Sequence, residues 1–319
     1  MALSRQDPVH TLTKLEVDAP TLDRELQPLF SLLDDPDTRI SETVIERLRS
    51  KGDAILGELL DFVDLTDDEL AGDRASMLVR ELNEERLAKE FCVLNKRLEW
   101  GDPRALEDGA FLVARYGYPR LNIEHYRIEL SALAGMLRDR IAGVHSPLEI
   151  LAITNDFFFE KQKFRGNQGA FLEPDNSYLN RVIDRKMGIP ISLAVAYLLI
   201  AKMRVGLPFS GSSAPGHFLI RYDGAIEEPL FVDAFNGGVV LRKRDIKRFL
   251  DASKLKYNDA FLDPAEDRTI ILRMIRNLIM VFGESHDLVG QRAFKRFLRI
   301  LVPPTEVTPD DVYSEDVEE

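Results

Sequence analysis

The sequence predicts an α+β chain in three parts: a helical front, a short core of helices and strands, and a helical cap. Three observations carry this. Apolar residues recur at one-face helical spacing through most of residues 22–141. Two short runs rich in apolar, β-branched and aromatic residues, His217 to Asp223 and Pro229 to Phe235, bracket the polar turn Asp223-Gly224-Ala225-Ile226-Glu227. A second helical pattern follows Asp263 and stops at Pro303-Pro304.

With 319 residues the chain has room for more than one core, since a single domain usually closes at about 100–200 residues. The reading divides it into a flexible start (1–20), a helical domain (21–142), an α+β core (143–262), a helix pair (263–304) and an acidic tail (305–319). In the front, Ile40, Val44, Ile45 and Leu48 share one helical face, and Ile55, Leu59, Phe62 and Val63 share another. Ser50-Lys51-Gly52-Asp53 between them supplies a C-terminal glycine and an Asp cap, the punctuation of a HEAT-like helix pair. Further helices are predicted at about 74–98, 104–116 and 123–142, parted by Gly101-Asp102-Pro103 and Gly117-Tyr118-Pro119. Cys92, between Phe91 and Val93, is expected to be packed, because free cysteine is among the most often buried residue types.

In the core, a helix at about 147–159 leads into the loop FRGNQGAFLEPDNS, where Gly166, Asn167 and Gly169 mark turns. Asn176 or Ser177 is expected to cap a helix ending at Gly188, and Pro190 suits the first turn of the next helix, which runs to Gly206. The apolar run from Ile189 to Ala201 falls short of the ~20 residues needed to span a bilayer and reads as a buried helix. The segment TIILRMIRNLIMVFGESHDLVGQRAFKRFLRILVPP reads as two helices broken at Gly283 to Asp287, a tetratricopeptide-like pair.

Charge and composition exclude several classes of function. The formal charge is −12, and seven acids with no base lie in residues 303–319, a segment expected to be disordered. General nucleic-acid binding is disfavoured, and the basic patch Arg242-Lys243-Arg244 reads as a solvated hairpin edge. The single cysteine excludes an intramolecular disulfide and a multi-cysteine metal site, and suits a reducing compartment. His10, His125, His145 and His286 lack ligand spacing, and there is no phosphate-cradling glycine loop, so neither metal nor cofactor is expected. The start has no apolar stretch of signal length, which predicts a cytoplasmic protein without a membrane partner.

A hairpin folding symmetrically about Ala225 sets His217 opposite Asp233, with Cβ atoms about 4.5–5.5 Å apart. The carboxylate then orients the imidazole, which is the base-and-orienter half of a triad, although such pairs are more often structural. Pro190-Ile191-Ser192 opens a helix, whose N-terminus carries free N–H groups and partial positive charge suited to a nucleophile or oxyanion. A nucleophile at a helix N-terminus, then a strand His, then a neighbouring-strand Asp is the chain order of papain-like and transglutaminase-like cores.

The segment FRGNQGAFLEPDNSYLNRVIDRKMGIPISLAVAYLLIAKMRVGLP, with PGHFLIRY and FVDAFNGG, strongly resembles the bacterial SirB-type family of transglutaminase-like proteins over about 147–241. GIPISL, PGHF and FVDAFNGG are specific together and weak separately. The resemblance implies a cysteine-proteinase-like α+β core with His217 and Asp233 at the His and Asp positions of the triad. At the position of the nucleophilic cysteine it puts Ser192, or Ile191 if the register slips by one.

Ser192 admits two readings: a first-turn residue that bonds free backbone N–H groups, or a nucleophile with His217 as base and Asp233 as orienter. The first weighs more, because a helix terminus that makes a thiolate cannot make an alkoxide. Pro215-Gly216, Arg165, Asn167, Asn176 and Asn236 complete the candidate cleft. The function expected is binding or regulation through a retired cleft, with a protein partner held through the helical regions. The alternatives are a serine-dependent amide or ester hydrolase, and a cleft into which Cys92 is brought.

Overall fold

The computed structural model describes residues 26–252 and 254–302, so the start at 1–20 and the acidic tail at 305–319 lie outside the described residues. The chain divides into two compact units, Met1–Leu82 and Asn83–Glu319. In the first, α1 (Gln27–Phe30), α2 (Thr38–Ser50), α3 (Leu56–Leu65) and the beginning of α4 (Glu69–Glu99) enclose Leu33, Leu48 and Leu59. Asp37 caps α2 by accepting from the Arg39 N–H, and Phe30 stacks on Phe62 at 4.9 Å. Between α2 and α3, Gly52 takes a φ of +66°, and a 3-10 turn over Gly52–Ile55 replaces the expected Asp53 cap.

The second unit begins within α4 and continues through α5 (Ala105–Gly117), α6 (Ile123–Ile141) and α7 (Pro147–Asn155). The units therefore part at Leu82–Asn83, within α4. The reason lies in α5, where Ala105, Leu106, Ala110, Phe111, Leu112, Val113 and Ala114 are all buried. A helix apolar on every side belongs inside a core, and this one shares its core with the helices that follow.

After α7 a π-helical turn, Asp156–Lys161, buries Phe157, Phe158 and Phe159. Then come a two-residue parallel pair, β1 (Arg165–Gly166) with β2 (Met187–Gly188), and between them α8 (Leu179–Arg185). Neither Asn176 nor Ser177 caps α8, because Pro174–Asn176 form a separate 3-10 turn and Tyr178 stands at the cap position. The following helix, α9 (Pro190–Ala201), is buried from Ile191 onward and is the axis of the unit. Among the described residues no helix is long and apolar enough to cross a membrane.

An antiparallel sheet of β3 (Phe209–Ser212), β4 (Leu219–Tyr222), β5 (Leu230–Asp233) and β6 (Val239–Leu241), in that order, lies against α9. Ile220, Tyr222 and Val232 pack on the cluster that contains α9. Leu219 and Phe231, of the opposite parity, pack on Ile246 and Leu250 of α10 (Lys243–Ala252) and on Leu262. Only β4 and β5 were expected from the sequence; β3, β6 and α10 are additions. Lys243 and Arg244 therefore open a helix, and the basic patch is not a hairpin edge.

The β4–β5 register pairs Ile220 with Val232, Arg221 with Phe231 and Tyr222 with Leu230, two residues away from symmetry about Ala225. The loop spans 223–229, and the Asp223 N–H bonds the Pro208 carbonyl in register with the β3–β4 ladder. Finally α11 (Asp267–Glu284) and α12 (Leu288–Leu301) form the expected helix pair. Their buried residues share a cluster with those of α9.

Candidate functional site

His217 sits just before β4, at the end of the turn Ala214-Pro215-Gly216-His217. The His217 N–H bonds the Ala214 carbonyl at 3.1 Å, and Gly216 has φ +71°. Proline followed by a residue of positive φ is what a type II turn requires, and glycine meets that need without strain. Arg273 of α11 holds this turn from behind, donating to Ser213 Oγ at 2.8 Å and to the Ala214 carbonyl at 3.1 Å. Burial holds the Arg273 guanidinium below its ordinary pKa.

The turn brings His217 Nε2 to 2.8 Å from Asp233 Oδ2, a close approach outside the angular range of a well-formed hydrogen bond. Carried on to His217, the observed register sets position 235 opposite it, so Asp233 stands two residues along and the pair meets diagonally. Asp233 has its other partners within its own turn: Oδ1 accepts from the Phe235 and Asn236 N–H groups, and Oδ2 accepts from Asn236 Nδ2 at 2.7 Å. Burial pushes the Asp233 carboxyl up, but His217, the Asn236 amide and the Asn236 backbone outweigh it, and its pKa lies below the usual carboxylate value.

Ser192 is fully buried in the first turn of α9. Its hydroxyl lies 2.5 Å from the Asn176 carbonyl, to which it donates, and accepts from the Ile189 N–H at 3.1 Å. Among the described residues none of its hydrogen bonds reaches His217. Gly188 closes the pocket, since a Cβ there would stand 2.6 Å from Ser192 Oγ. Ile191 is equally buried. The structure thus joins His217 to Asp233 and leaves Ser192 apart from them.

The other candidates separate in the same way. Asn236 belongs to the pair as the second donor to Asp233 Oδ2. Asn167 and Asn176 are buried and bond each other at 3.0 Å and the Ala170 carbonyl, so they shape the loop and do not line a cleft. Arg165 is exposed on β1. Cys92 is exposed, against expectation, and lies in a groove with Glu85, Lys89, Arg296 and Arg299, remote in composition from the His217 turn. The 100° step of a helix explains it: Phe91 faces the core, and its neighbours Cys92 and Val93 turn outward.

Two residues were missed. Phe249 of α10 is half exposed with its ring 6.1 Å from that of His217, and the Ile246–Leu250 spacing was the signal that its helix exists. Arg273 had no such signal, since a helical arginine among apolar residues reads as a solvated side chain. Among the described residues no group of three or more His, Cys, Asp or Glu side chains is arranged to hold a metal ion.

The family model of the transglutaminase-like superfamily matches residues 124–276. A UPF0162 protein of Xylella fastidiosa is 36% identical over 185 residues, 55% of this chain and 64% of that protein. Protein SirB1 of Salmonella typhimurium is 23% identical over 188 residues, 58% of this chain and 67% of its own. F-box only protein 21 of Homo sapiens is 28% identical over 138 residues, 41% of this chain and 21% of that protein. The match thus covers under two thirds of the length of the Xylella relative. No solved structure matches the chain. The α+β core with its His–Asp pair, the match over residues 124–276 and these relatives agree: that part of the chain is similar to the transglutaminase-like superfamily, to SirB1 and to the UPF0162 proteins.

Proposed function

We propose that this chain is a non-catalytic binding or regulatory protein that holds a polypeptide partner at its transglutaminase-like cleft. Ser192 carries the reading. A serine nucleophile needs its hydroxyl within about 3.2 Å of a base, whereas the Ser192 proton is directed to the Asn176 carbonyl at 2.5 Å, and the oxygen also accepts from the Ile189 N–H. Both bonds serve the helix terminus. His217 and Asp233 remain beside exposed aromatic rings, Phe249 near the imidazole and Phe171 against Phe235 at 6.0 Å, a mixture that suits a peptide better than a reaction. The proposal includes a cytoplasmic setting, partner contacts on the helical regions, and no nucleic-acid or membrane partner.

The test is chemical. The purified protein is incubated with a fluorophosphonate and with iodoacetamide, and adducts are mapped by mass spectrometry. No adduct is expected at Ser192, and Cys92 should alkylate at the ordinary rate of an exposed thiol, unchanged in His217→Ala. Labelling of Ser192 that disappears in His217→Ala would make the protein a serine hydrolase and end the proposal.

A further inference from the structure

We propose that a polypeptide partner adds an acidic extended segment to the open edge of the sheet at β6, alongside the basic start of α10. This surface rests on the reading that the chain holds a polypeptide partner, and it names the form and the charge of the segment held. The two edges of the sheet differ. On the outer side of β3 the Ala265 N–H donates to the Gly211 carbonyl at 2.7 Å, so the segment before α11 covers that edge. On the other side β6 pairs with β5 alone among the described residues. An uncovered edge strand is a template for another strand, and natural sheets guard such edges with charge, proline or a bulge. The side chains of β6, Val239, Val240 and Leu241, supply no charge and no proline, and Val239 and Val240 are 50% and 44% exposed.

Directly after β6, residues 242–248 carry five bases and one acid, Asp245, in a chain of formal charge −12. All five bases are exposed. Three are already matched: Lys243 meets Asp259 at 2.8 Å, Lys247 lies over the Tyr257 ring at 5.8 Å, and Arg242 shares an open pocket with Glu227 and Glu228. Arg244 reaches only its neighbour Asp245, at 3.8 Å, and Arg248 forms no ion pair among the described residues. Four residues apart, these two stand on one face of α10, and like charges at that spacing work against a helix. A carboxylate arriving from a partner relieves the repulsion. The chemistry of the occupant follows: extended backbone answers the outward N–H and C=O groups of β6, β-branched side chains answer Val239 and Val240, and acids answer Arg244 and Arg248. A membrane or a nucleic acid is a wide polyanion that meets the charge of the whole chain, whereas a single strand meets only the cations within a Debye length, about 8 Å. Val239 lies opposite Asp233 in the β5–β6 register, so a strand added outside β6 runs two strand spacings, about 10 Å, from the strand that carries the His217 partner.

Fluorescence anisotropy tests it on the full chain. The probe is a labelled synthetic peptide of alternating Val and Glu, about eight residues long, within the usual length of a strand. It should bind and shift the β6 amides in ¹⁵N spectra. Binding should weaken about tenfold in Arg244→Glu/Arg248→Glu, two exposed charges whose reversal leaves the buried side of α10 intact. Methylating alternate peptide nitrogens of the probe should abolish binding, a control that changes nothing in the protein. Equal affinity for the methylated probe, or in the reversed-charge variant, would overturn the proposal. Tighter binding of phosphatidylserine vesicles or single-stranded DNA, lost in the same variant, would do so too, as would a dimer of the free chain that Val240→Lys dissociates. If Ser192 is labelled by the fluorophosphonate and the peptide still binds at β6, the surface stands while the non-catalytic reading falls; if Ser192 is inert and no peptide binds, the surface falls and that reading stands.

Discussion

Ser192 satisfies the Asn176 carbonyl and the Ile189 N–H, and removing its hydroxyl leaves these two groups only their own long bond of 3.4 Å to each other. Ser192→Ala should cost about 1–3 kcal/mol in urea unfolding. Ser192→Cys is the sharper variant, because it puts a reactive thiol at this position. Enclosed by Gly188, Asn176 and Ile189, the new thiol should alkylate only as fast as the protein opens; alkylation matching that of Cys92 would mean that position 192 does face a cleft. Asp233 supplies a pH signature. Its folded pKa is depressed, so the stabilisation it contributes is complete above the ordinary carboxylate pKa and is lost as pH falls through the folded value. Urea midpoints followed down through the acid range should fall in the parent and fall less steeply in Asp233→Asn, and equal slopes would remove Asp233 as the source.

Helices α5 and α11 meet where α5 has no side chain. A Cβ on Gly109 would stand 2.5 Å from Ile271 Cδ1 and 3.1 Å from Leu94 Cδ2. Gly109→Ala gains helix propensity but overpacks this crossing, and a net loss of about 1–2 kcal/mol is expected, recovered in large part by Ile271→Val. If Gly109→Ala is as stable as the parent, the helices are free to separate. At this scale the sequence was most legible where one periodicity ruled: the α9 run, the α11–α12 pair and the β4–β5 hairpin all stand within a few residues of their predicted places. The hairpin register was missed by two because the loop spans 223–229, two residues more than the five-residue turn that was expected. Since side chains alternate with period two, that error kept His217 and Asp233 on one face, which is why the pair was legible when its register was not. β3 and β6 escaped notice because FSGS and VVL are too short to show alternation. That Ser192 turns toward Asn176 was not legible, for the partner is a main-chain carbonyl sixteen residues away, which no side-chain pattern encodes.

At the scale of the whole second unit, one buried carboxylate joins three parts of the chain. Glu107 of α5, 6% exposed, accepts from Arg127 Nε of α6 at 2.9 Å and lies 2.6 Å from Arg204 Nη2, just beyond α9. Arg204 also donates to the Leu199 carbonyl at the end of α9, and Arg127 also meets Asp108 at 2.5 Å. The α9 axis, on which the sheet and the His217 turn rest, is therefore held to α5 and α6 by charge as well as by packing. Neutralising Glu107 removes the counter-charge of Arg204, which is itself largely buried, while Arg127 keeps Asp108. Glu107→Gln should cost about 2–3 kcal/mol, less than a fully buried pair because Arg127 is a third exposed. The loss should persist at about 1 M salt, since a buried pair is poorly screened. Glu107→Leu combined with Arg204→Leu should recover much of it by leaving no unpaired charge. Urea midpoints of the single and double variants decide the matter: if Glu107→Gln is neutral, or its cost disappears in salt, the helices are joined by packing alone.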